Sequence, residues 1–150
     1  MTAGYAETLE VRPARDDAEL AAAQELRIRV FCEEQGVPRE IELDGSDAGT
    51  TLLIASDGGG RVVATCRLRR GSETCGLERM AVESDRRRQG VGRRLIAAAE
   101  DEARRGGALE MHLKAQLAAR GFYESCGYAA VSEEIVKDAG IDHVRMSKSL

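Results

Sequence analysis

A short stretch near the middle of the chain has the residue types and the spacing that bind phosphate groups. It is Arg87-Arg88-Gln89-Gly90-Val91-Gly92, and it lies between a predicted strand and a predicted helix. The first amides of a helix have no intrahelical partner and lie at the positive end of the helix dipole, and glycine has no side chain to keep an anion away. The stretch therefore predicts a phosphate cradle; the alternative is a turn relaxed by glycine and flanked by solvated arginines.

This stretch and a second one further along the chain together resemble a known family. The sequence has neither the Gly-x-x-x-x-Gly-Lys-Ser/Thr motif of nucleoside triphosphate sites nor the Gly-x-Gly-x-x-Gly motif of dinucleotide sites. Residues 87–92 resemble instead the Arg/Gln-x-x-Gly-x-Gly/Ala signature of GNAT (Gcn5-related) acetyltransferases. Residues 116–128 resemble that family's Asn-x-x-Ala-x-x-x-Tyr-x-x-x-Gly-Phe segment, with Gln116 in place of the asparagine and Tyr128 in place of the phenylalanine.

The resemblance implies that acetyl-coenzyme A (acetyl-CoA) is the co-substrate and that residues 87–92 hold its pyrophosphate. It also implies that Tyr123 is the general acid that protonates the coenzyme A thiolate. A phenol with an ordinary pKa of about 10 suits that role at neutral pH; the alternative is that Tyr123 only packs beside Phe122. The strand from Leu77 to Val82 resembles the family's central strand, whose free backbone groups pair with the pantetheine arm. The residues assigned to the cofactor are Met80, Ala81, Val82, Arg87, Arg88, Gln89, Gly90, Val91, Gly92, Gln116, Phe122 and Tyr123.

The implied reaction is direct transfer of the acetyl group to a primary amine of a small molecule within a ternary complex. The amine arrives mostly as an ammonium ion and must lose a proton before it attacks, so a base is needed nearby. Glu34, Glu78 and His143 are the candidates. Each has an alternative: Glu34 as a solvated loop charge, Glu78 as a partner of Arg79 or Arg67, and His143 as a satisfied strand residue.

A narrower resemblance, to the GNAT branch typified by the ElaA and YjcF proteins, extends from about Arg27 to Met146. It rests on Arg27-x-x-Val30-Phe31-x-x-Glu34-Gln35-Gly36-Val37-Pro38 and on Gly140-Ile141-Asp142-His143. An acidic cluster between Glu33 and Asp47 would attract a cationic acceptor such as a polyamine, an aminosugar or an amino-acid amine, whereas arginines in the site would suit a carboxylate. The candidate acceptor-binding residues are Arg27, Glu34, Gln35, Arg67 and His143.

The hydrophobic pattern places these residues on strands that alternate with helices. Strands are predicted over residues 8–13, 51–55, 62–68, 77–82, 109–114, 128–136 and 143–149, and helices over 16–31, 90–105 and 116–126. Residues 36–47 are predicted as a surface loop or a short helix. The fold class is therefore α/β in an α+β layered arrangement, with a GNAT-type mixed central sheet of about six to seven strands flanked by about four helices.

The 90–105 helix is predicted to be amphipathic. Val91, Leu95, Ala98 and Ala99 fall on the apolar face. The opposite face is expected to be solvated and to carry two i,i+4 ion pairs, Glu100 with Arg104 and Asp101 with Arg105.

Composition limits the classes of function that remain. The chain has 150 residues and is 43% hydrophobic, which is enough for one core, so we expect a single domain over residues 1–150. The net charge of −4 argues against a nucleic-acid partner, despite the arginine runs at 86–88 and 93–94. Neither a leader nor a membrane-spanning stretch is seen, so a cytoplasmic protein without a membrane partner is expected.

The four cysteines are scattered, and neither a metal site nor a disulfide is predicted. The assembly stays open between a monomer and a homodimer. The alternative to an N-acetyltransferase is a non-catalytic acyl-CoA-sensing or partner-binding module on the same fold.

Overall fold

The strands form one mixed sheet with helices against both faces. The computed structural model describes residues 8–45 and 47–150. The strands are β1 (Glu10–Pro13), β2 (Thr51–Ser56), β3 (Val62–Arg70), β4 (Thr74–Val82), β5 (Glu110–Gln116), β6 (Ala129–Asp138) and β7 (Ile141–Ser149). The helices are α1 (Asp17–Arg27), α2 (Arg39–Glu42), α3 (Val91–Arg105) and α4 (Arg120–Ser125). A π-helix at Ile28–Glu34 continues α1, and single 3₁₀ turns lie at Ser84–Arg86 and Leu117–Ala119.

The sheet order is β1-β2-β3-β4-β5-β7-β6, and β4 and β5 are paired in parallel while the other neighbours in this order are antiparallel. A parallel pair needs a crossover connection, which α3 supplies. The mixed α/β sheet with seven strands and four helices confirms the predicted fold class.

The β4 strand contains a bulge at Arg79. Thr65 of β3 pairs with Ala81, and Arg67 pairs with Glu78, so the single residue between them on β3 opposes both Arg79 and Met80. Arg79 has a φ of 53°, in the left-handed region that non-glycine residues rarely adopt. A bulge bends its strand and re-aims the side chains around it, here at the point where β4 leaves its pairing with β5.

The main core lies between α3 and the sheet. Val91, Leu95, Ile96 and Ala99 are buried there, packed over alternate residues of β3 such as Cys66. The apolar face predicted for this helix is confirmed, with Ile96 added to it and Ala98 only partly buried. The opposite face of β2, β3 and β4 is contacted by α1.

The prediction that Glu100 lies on the solvated face of α3 is wrong. Glu100 is buried and accepts hydrogen bonds from the Tyr128 hydroxyl (2.9 Å) and from Lys148 Nζ (3.0 Å). The expected i,i+4 pairs are replaced by i,i+3 pairs, Arg104 with Asp101 (3.2 Å) and Arg105 with Glu102 (2.7 Å). Helix periodicity could not predict this burial, because Tyr128 and Lys148, the partners of Glu100, are distant from it in the sequence.

The first helix begins at a capping aspartate and continues beyond its C-terminal end as a π-helix. Asp16 caps it, accepting a hydrogen bond from the Glu19 amide (2.9 Å), as its sequence position predicted. The α-helix ends at Arg27, and the predicted last turn to Phe31 belongs to the π-helix instead. π-Helical turns are rare and occur frequently at functional sites.

Candidate functional site

A cleft of about 1160 Å³ opens where β4 and β5 separate. The two strands pair only from Thr74 with Glu110 to Leu77 with Leu113. Beyond these pairs β4 continues to Val82 and β5 to Gln116 with no pairing between them, so one edge of β4 faces open space inside the sheet. The splayed strand that the family resemblance implied is therefore present, and Met80, Ala81 and Val82 all line the cleft.

One end of the cleft is strongly positive. It is formed by the loop before α3, where Gly90 is the N-cap with a φ of 82° and no side chain caps the helix. The first turn of α3 contains no acidic residue, so the unpaired amides and the helix dipole face the cleft without a competing carboxylate. The cationic residues that line this end are Arg86, Arg87, Arg88 and Arg93. The carboxylates among the described lining residues all lie at the other end, and this asymmetry fits an anionic ligand such as a diphosphate.

The arginines of this end differ in how they are held. Arg87 forms an ion pair with Glu34 (2.9 Å) and donates from Nε to the Val82 carbonyl (3.0 Å). Arg93 donates to Ser125 Oγ (2.8 Å). Arg88 is exposed, has a φ of 64° and forms no hydrogen bond or ion pair with the described part of the chain. Its guanidinium is therefore available to an anion in solution.

The two glycines of the loop are needed for different reasons. A side chain at Gly90 would meet nothing within 4 Å, but the positive φ at this position favours glycine. A Cβ atom at Gly92 would lie 3.0 Å from Met80 Cε and 3.2 Å from Phe122 Cζ. Gly92 therefore allows close packing of α3 against β4 and α4. The neighbouring Gln89 donates to the Asp85 carbonyl (3.2 Å) and lies outside the cleft lining.

The Tyr123 hydroxyl lies at the middle of the cleft, 3.6 Å from Met80 Sδ. The side chain is only 9% exposed and packs edge-on against Phe122 and Tyr128, with ring centroids 5.2 and 6.1 Å away. Burial raises the pKa of the Tyr123 phenol well above its usual value, because the phenolate would lose hydration. Tyr123 is therefore held protonated beside the open edge of β4, as a proton donor must be.

His143 and Gln116 lie opposite each other on β7 and β5, and both line the cleft. His143 is 8% exposed, and its Nδ1 lies 2.7 Å from the Ile141 carbonyl oxygen. Because a carbonyl only accepts, Nδ1 carries the hydrogen, and in the neutral ring the lone pair is therefore on Nε2. The Gln116 side chain donates to Gln35 Oε1 (2.9 Å), which joins β5 to the residue that follows the π-helix.

The two carboxylate candidates for a base are occupied by arginines. Glu34 pairs with Arg87 and is not among the cleft-lining residues. Glu78 lines the cleft but pairs with Arg67 Nε (2.9 Å) and Arg69 (3.1 Å). Partial burial by itself would raise the pKa of Glu78, but the hydrogen bonds from Arg69 and Arg67 outweigh it and hold this pKa below the usual value. A carboxylate held ionised in this way is a weak proton acceptor.

The two arginines assigned to the acceptor are neutralised within the protein. Arg27 is fully buried, pairs with Glu42 and with Asp47 (2.9 Å), and does not line the cleft. Arg67 lines the cleft but pairs with Asp47 (3.1 Å) as well as with Glu78. Glu42, Asp44 and Asp47 of the acidic cluster therefore form one largely buried ion-pair network with these arginines. The sequence had suggested that the two sets of charges favour opposite kinds of acceptor. Arg27 acts in this network as a structural residue.

Several cleft residues were not singled out by sequence reasoning. Both histidines of the chain line the cleft, and the His112 ring packs over Gly76, where a Cβ would lie 3.1 Å from it. Strand alternation places His112 on the same face of β5 as Gln116, so the sequence pattern could have identified His112 as a cleft residue. The apolar lining residues Val37, Ile41 and Val131 gave no such signal, because they come from a loop, a short helix and an edge strand.

Backbone strain is concentrated around the cleft. Within the described residues, the non-glycine positions with positive φ are Arg79, Arg88 and Ala139, and all three line it. Such conformations cost of order 1–3 kcal/mol each and are retained mainly at functional sites.

Other kinds of site are not seen in residues 8–45 and 47–150. No group of three or more His, Cys, Asp or Glu side chains there is arranged to hold a metal ion. The four cysteines are free, and burial raises the pKa of the Cys66 thiol to about 12. No helix in these ranges has the length and apolar character that crossing a bilayer requires.

Known proteins are similar to this chain in sequence and in architecture. The sequence profile of the acetyltransferase (GNAT) domain family matches residues 17–150. The uncharacterised N-acetyltransferase YjcF of Bacillus subtilis is 36% identical over 135 residues, covering 90% of this chain and 96% of YjcF. An acyl-CoA N-acyltransferase from Pseudomonas aeruginosa superposes with a TM-score of 0.79 at 28% identity, and Escherichia coli ElaA with a TM-score of 0.81 at 22% identity. Each superposition covers 95% of this chain and 99% of the other.

Proposed function

Because this chain belongs to the GNAT acetyltransferase family, and therefore to enzymes of acyl-CoA-dependent acetyl transfer, we propose that it moves the acetyl group of acetyl-CoA to a primary amine of a small molecule. The observation that carries the proposal is the layout of the cleft. An arginine-lined helix N-terminus lies at one end, the open edge of β4 runs from it, and Tyr123 and His143 line the same cavity.

The residues present fit coenzyme A. The amides at the start of α3 and the guanidinium of Arg88 would hold the diphosphate, since both offer positive charge and unpaired donors. The edge of β4 from Met80 to Val82 that β5 leaves unpaired would offer backbone groups to the amides of the pantetheine arm, as a sheet edge does to an added strand. Acetyl-CoA would supply the activated thioester.

Two side chains would move protons in the reaction. His143 accepts the ammonium proton at Nε2, because its Nδ1 hydrogen is held by the Ile141 carbonyl. The amine would then attack the thioester carbonyl in the ternary complex, and Tyr123 would donate its phenolic proton to the departing thiolate as the carbon–sulfur bond breaks. The proton that the nitrogen still has to lose would return to the Tyr123 phenolate. Glu34 and Glu78 are set aside as bases because both are paired with arginines.

The experiment that tests this proposal is calorimetric titration of the protein with acetyl-CoA and with CoA, beside a CoA-release assay with a mixture of primary amines. We expect dissociation constants in the micromolar range and CoA release only when an amine is present. Arg88→Gln should weaken acetyl-CoA binding about tenfold, because one charged contact is lost. Arg104→Gln is the matched control, since Arg104 is also exposed but lies on the far part of α3.

The results of these two assays distinguish an acetyltransferase from an acyl-CoA-sensing module. Binding without any CoA release would favour the acyl-CoA-sensing module. Absence of binding would contradict both functions. Equal loss of affinity in the Arg88 and Arg104 variants would remove the loop before α3 from the cofactor site.

A further inference from the structure

The charges at the acceptor end of the cleft, which is the end away from α3, balance one another. Each cationic residue that lines this end is paired with a carboxylate: Arg67 with Glu78 (2.9 Å), Arg69 with Glu78 (3.1 Å), Arg79 with Asp44 (3.3 Å), Lys114 with Asp138 (2.9 Å) and Arg145 with Glu134 (3.1 Å). At the cofactor end, by contrast, Arg88 and Arg93 form no ion pair with a carboxylate of the described residues, although Arg86 and Arg87 do. A second charged group on the acceptor would therefore meet side chains that already have partners.

Large apolar side chains stand exposed on both rims of this end. Ile41 of α2 is 43% exposed, and Val131 of β6 is 65% exposed; both line the cleft. Phe31, Val37 and Ile141 also line the cleft. Single exposed apolar residues are normal on a protein surface, but a set that faces one cavity indicates what the cavity binds.

Val131 lies in a bulge of β6. Ala130 pairs with Met146 and Ile135 pairs with Val144, so residues 131–134 of β6 stand opposite the single residue Arg145. Such a bulge re-aims side chains and is over-represented next to active sites. Val131 lies in this bulge and lines the cleft, on an edge strand whose residues are mostly exposed.

We infer that the acceptor is a primary amine on an uncharged, largely apolar body, such as an alkylamine or an arylalkylamine, whose ammonium is its only charge. This inference rests on the proposed function and narrows it. It departs from the polyamine, aminosugar and amino-acid acceptors that the sequence left open, because a second ammonium or a carboxylate would lose hydration here without gaining a partner.

Amines that differ by one charged group test the inference. Hexylamine is compared with hexamethylenediamine, and phenethylamine with phenylalanine, by kcat/KM from CoA release at saturating acetyl-CoA. We expect the amine with the uncharged body to be better by about tenfold or more in each pair. Equal values, or a preference for the charged member of either pair, would overturn the inference.

Rim variants provide the second measurement. Val131→Asp and Ile41→Asp should each lower kcat/KM for hexylamine about tenfold, because a carboxylate replaces an apolar contact. Leu109→Asp is the matched control: Leu109 is 63% exposed, but it lies outside the cleft, and its variant should keep the normal value. Equal activity in all three variants would contradict the apolar acceptor.

Titration with acetyl-CoA separates the two possible failures. If the unmodified protein does not bind acetyl-CoA, the proposed function fails and the inference fails with it. If acetyl-CoA binds normally to the unmodified protein and to the rim variants, but charged amines are preferred, only the inference about the acceptor fails.

Discussion

At the scale of single residues, two tyrosines and two histidines in or next to the cleft have different surroundings. Tyr123 lies beside Met80 at the open edge of β4, whereas Tyr128 donates to buried Glu100. His143 lies across from Gln116 with its Nδ1 hydrogen occupied, whereas His112 packs over Gly76. Each member of a pair is therefore a natural control for the other.

Tyr123→Phe should lower kcat about a hundredfold or more while acetyl-CoA affinity stays within a few-fold of normal, because only the proton donor is lost and the ring packing remains. Steady-state kinetics and calorimetry measure the two quantities. Tyr128→Phe should do the reverse: the free energy of unfolding falls by about 1–2 kcal/mol, since buried Glu100 loses a hydrogen bond, and kcat stays close to normal. A fall in kcat of the same size in both variants would assign Tyr123 a packing role.

His143→Gln should lower kcat/KM for the amine about a hundredfold or more, because the ammonium ion loses its proton acceptor. The loss should shrink as the pH is raised, since free amine then becomes more abundant without a catalyst. His112→Gln is the matched control, because it makes the same substitution at the other histidine of the cleft. It should have little effect on the pH dependence of kcat/KM. If kcat/KM of His143→Gln were lower than normal by the same factor at every pH, His143 would not be the base.

At the scale of elements, the segment from α1 to α2 is fixed to the sheet by charges rather than by apolar contacts alone. Arg27 on α1, Asp47 after α2 and Arg67 on β3 form one chain of ion pairs. Burial by itself would raise the pKa of Asp47, but hydrogen bonds from Gln24 and Arg27 outweigh it and keep this pKa below the usual value. This network holds the wall that carries Phe31, Val37 and Ile41.

Arg27→Met should lower the free energy of unfolding by about 3 kcal/mol, because buried Glu42 keeps only its ion pair with Arg79 and Asp47 loses its pair with Arg27. Arg104→Met removes an exposed arginine paired with Asp101 and should cost less than about 1 kcal/mol. Urea denaturation followed by circular dichroism measures both. Similar small losses in the two variants would show that the buried network contributes no more than surface pairs do.

The start of α1 is joined to β1 by Arg12 and Glu19. The Arg12 guanidinium, with help from the Arg15 amide, lowers the pKa of Glu19 to about 2. A carboxyl group whose pKa is depressed in the folded state stabilises the fold above its unfolded-state pKa, and this stabilisation is lost as the pH falls through the folded-state pKa. Glu19→Gln should therefore be less stable than the normal protein at pH 7, and the two denaturation midpoints should converge between about pH 4.5 and pH 2. A difference that is independent of pH would exclude this ion pair as its source.

The sequence predicted elements and motifs far better than it predicted their contacts. The strand and helix periods located all seven strands and the two long helices, because periodicity is a local property. The bulge at Arg79, the register shift before Ile135 and the burial of Glu100 depend on pairing between residues distant in sequence. Arg27 illustrates the limit. Its position on an apolar helix face was visible in the sequence, but the carboxylates that neutralise it come from α2 and from the loop after it, whose positions no local pattern specifies.

At the scale of the whole molecule, the sheet consists of two antiparallel halves, β1–β4 and β5–β7, that meet at the short parallel pairing of β4 with β5. Each half is continuous in the sequence, and α3 connects them. A ligand in the cleft would contact both halves, so cofactor binding should stabilise the molecule as a unit.

Acetyl-CoA at about one hundred times its dissociation constant should raise the free energy of unfolding by about 2.7 kcal/mol and the melting temperature by about 5 to 10 °C. In hydrogen exchange, added protection should be greatest in residues 78–82 and in the first turn of α3. Arg88→Gln, compared at the same acetyl-CoA concentration, should show a smaller rise. Protection confined to other strands would place the ligand elsewhere.

The open edge of β4 also bears on the solubility of the protein. An exposed strand edge normally recruits the strands of other molecules and leads to aggregation. Here the edge lies within the sheet, between β4 and β5, rather than at the outer margin of the molecule. We therefore expect a strand of a second molecule to reach this inner edge less readily than a narrow linear ligand does, and the separation of β4 from β5 should add little to self-association.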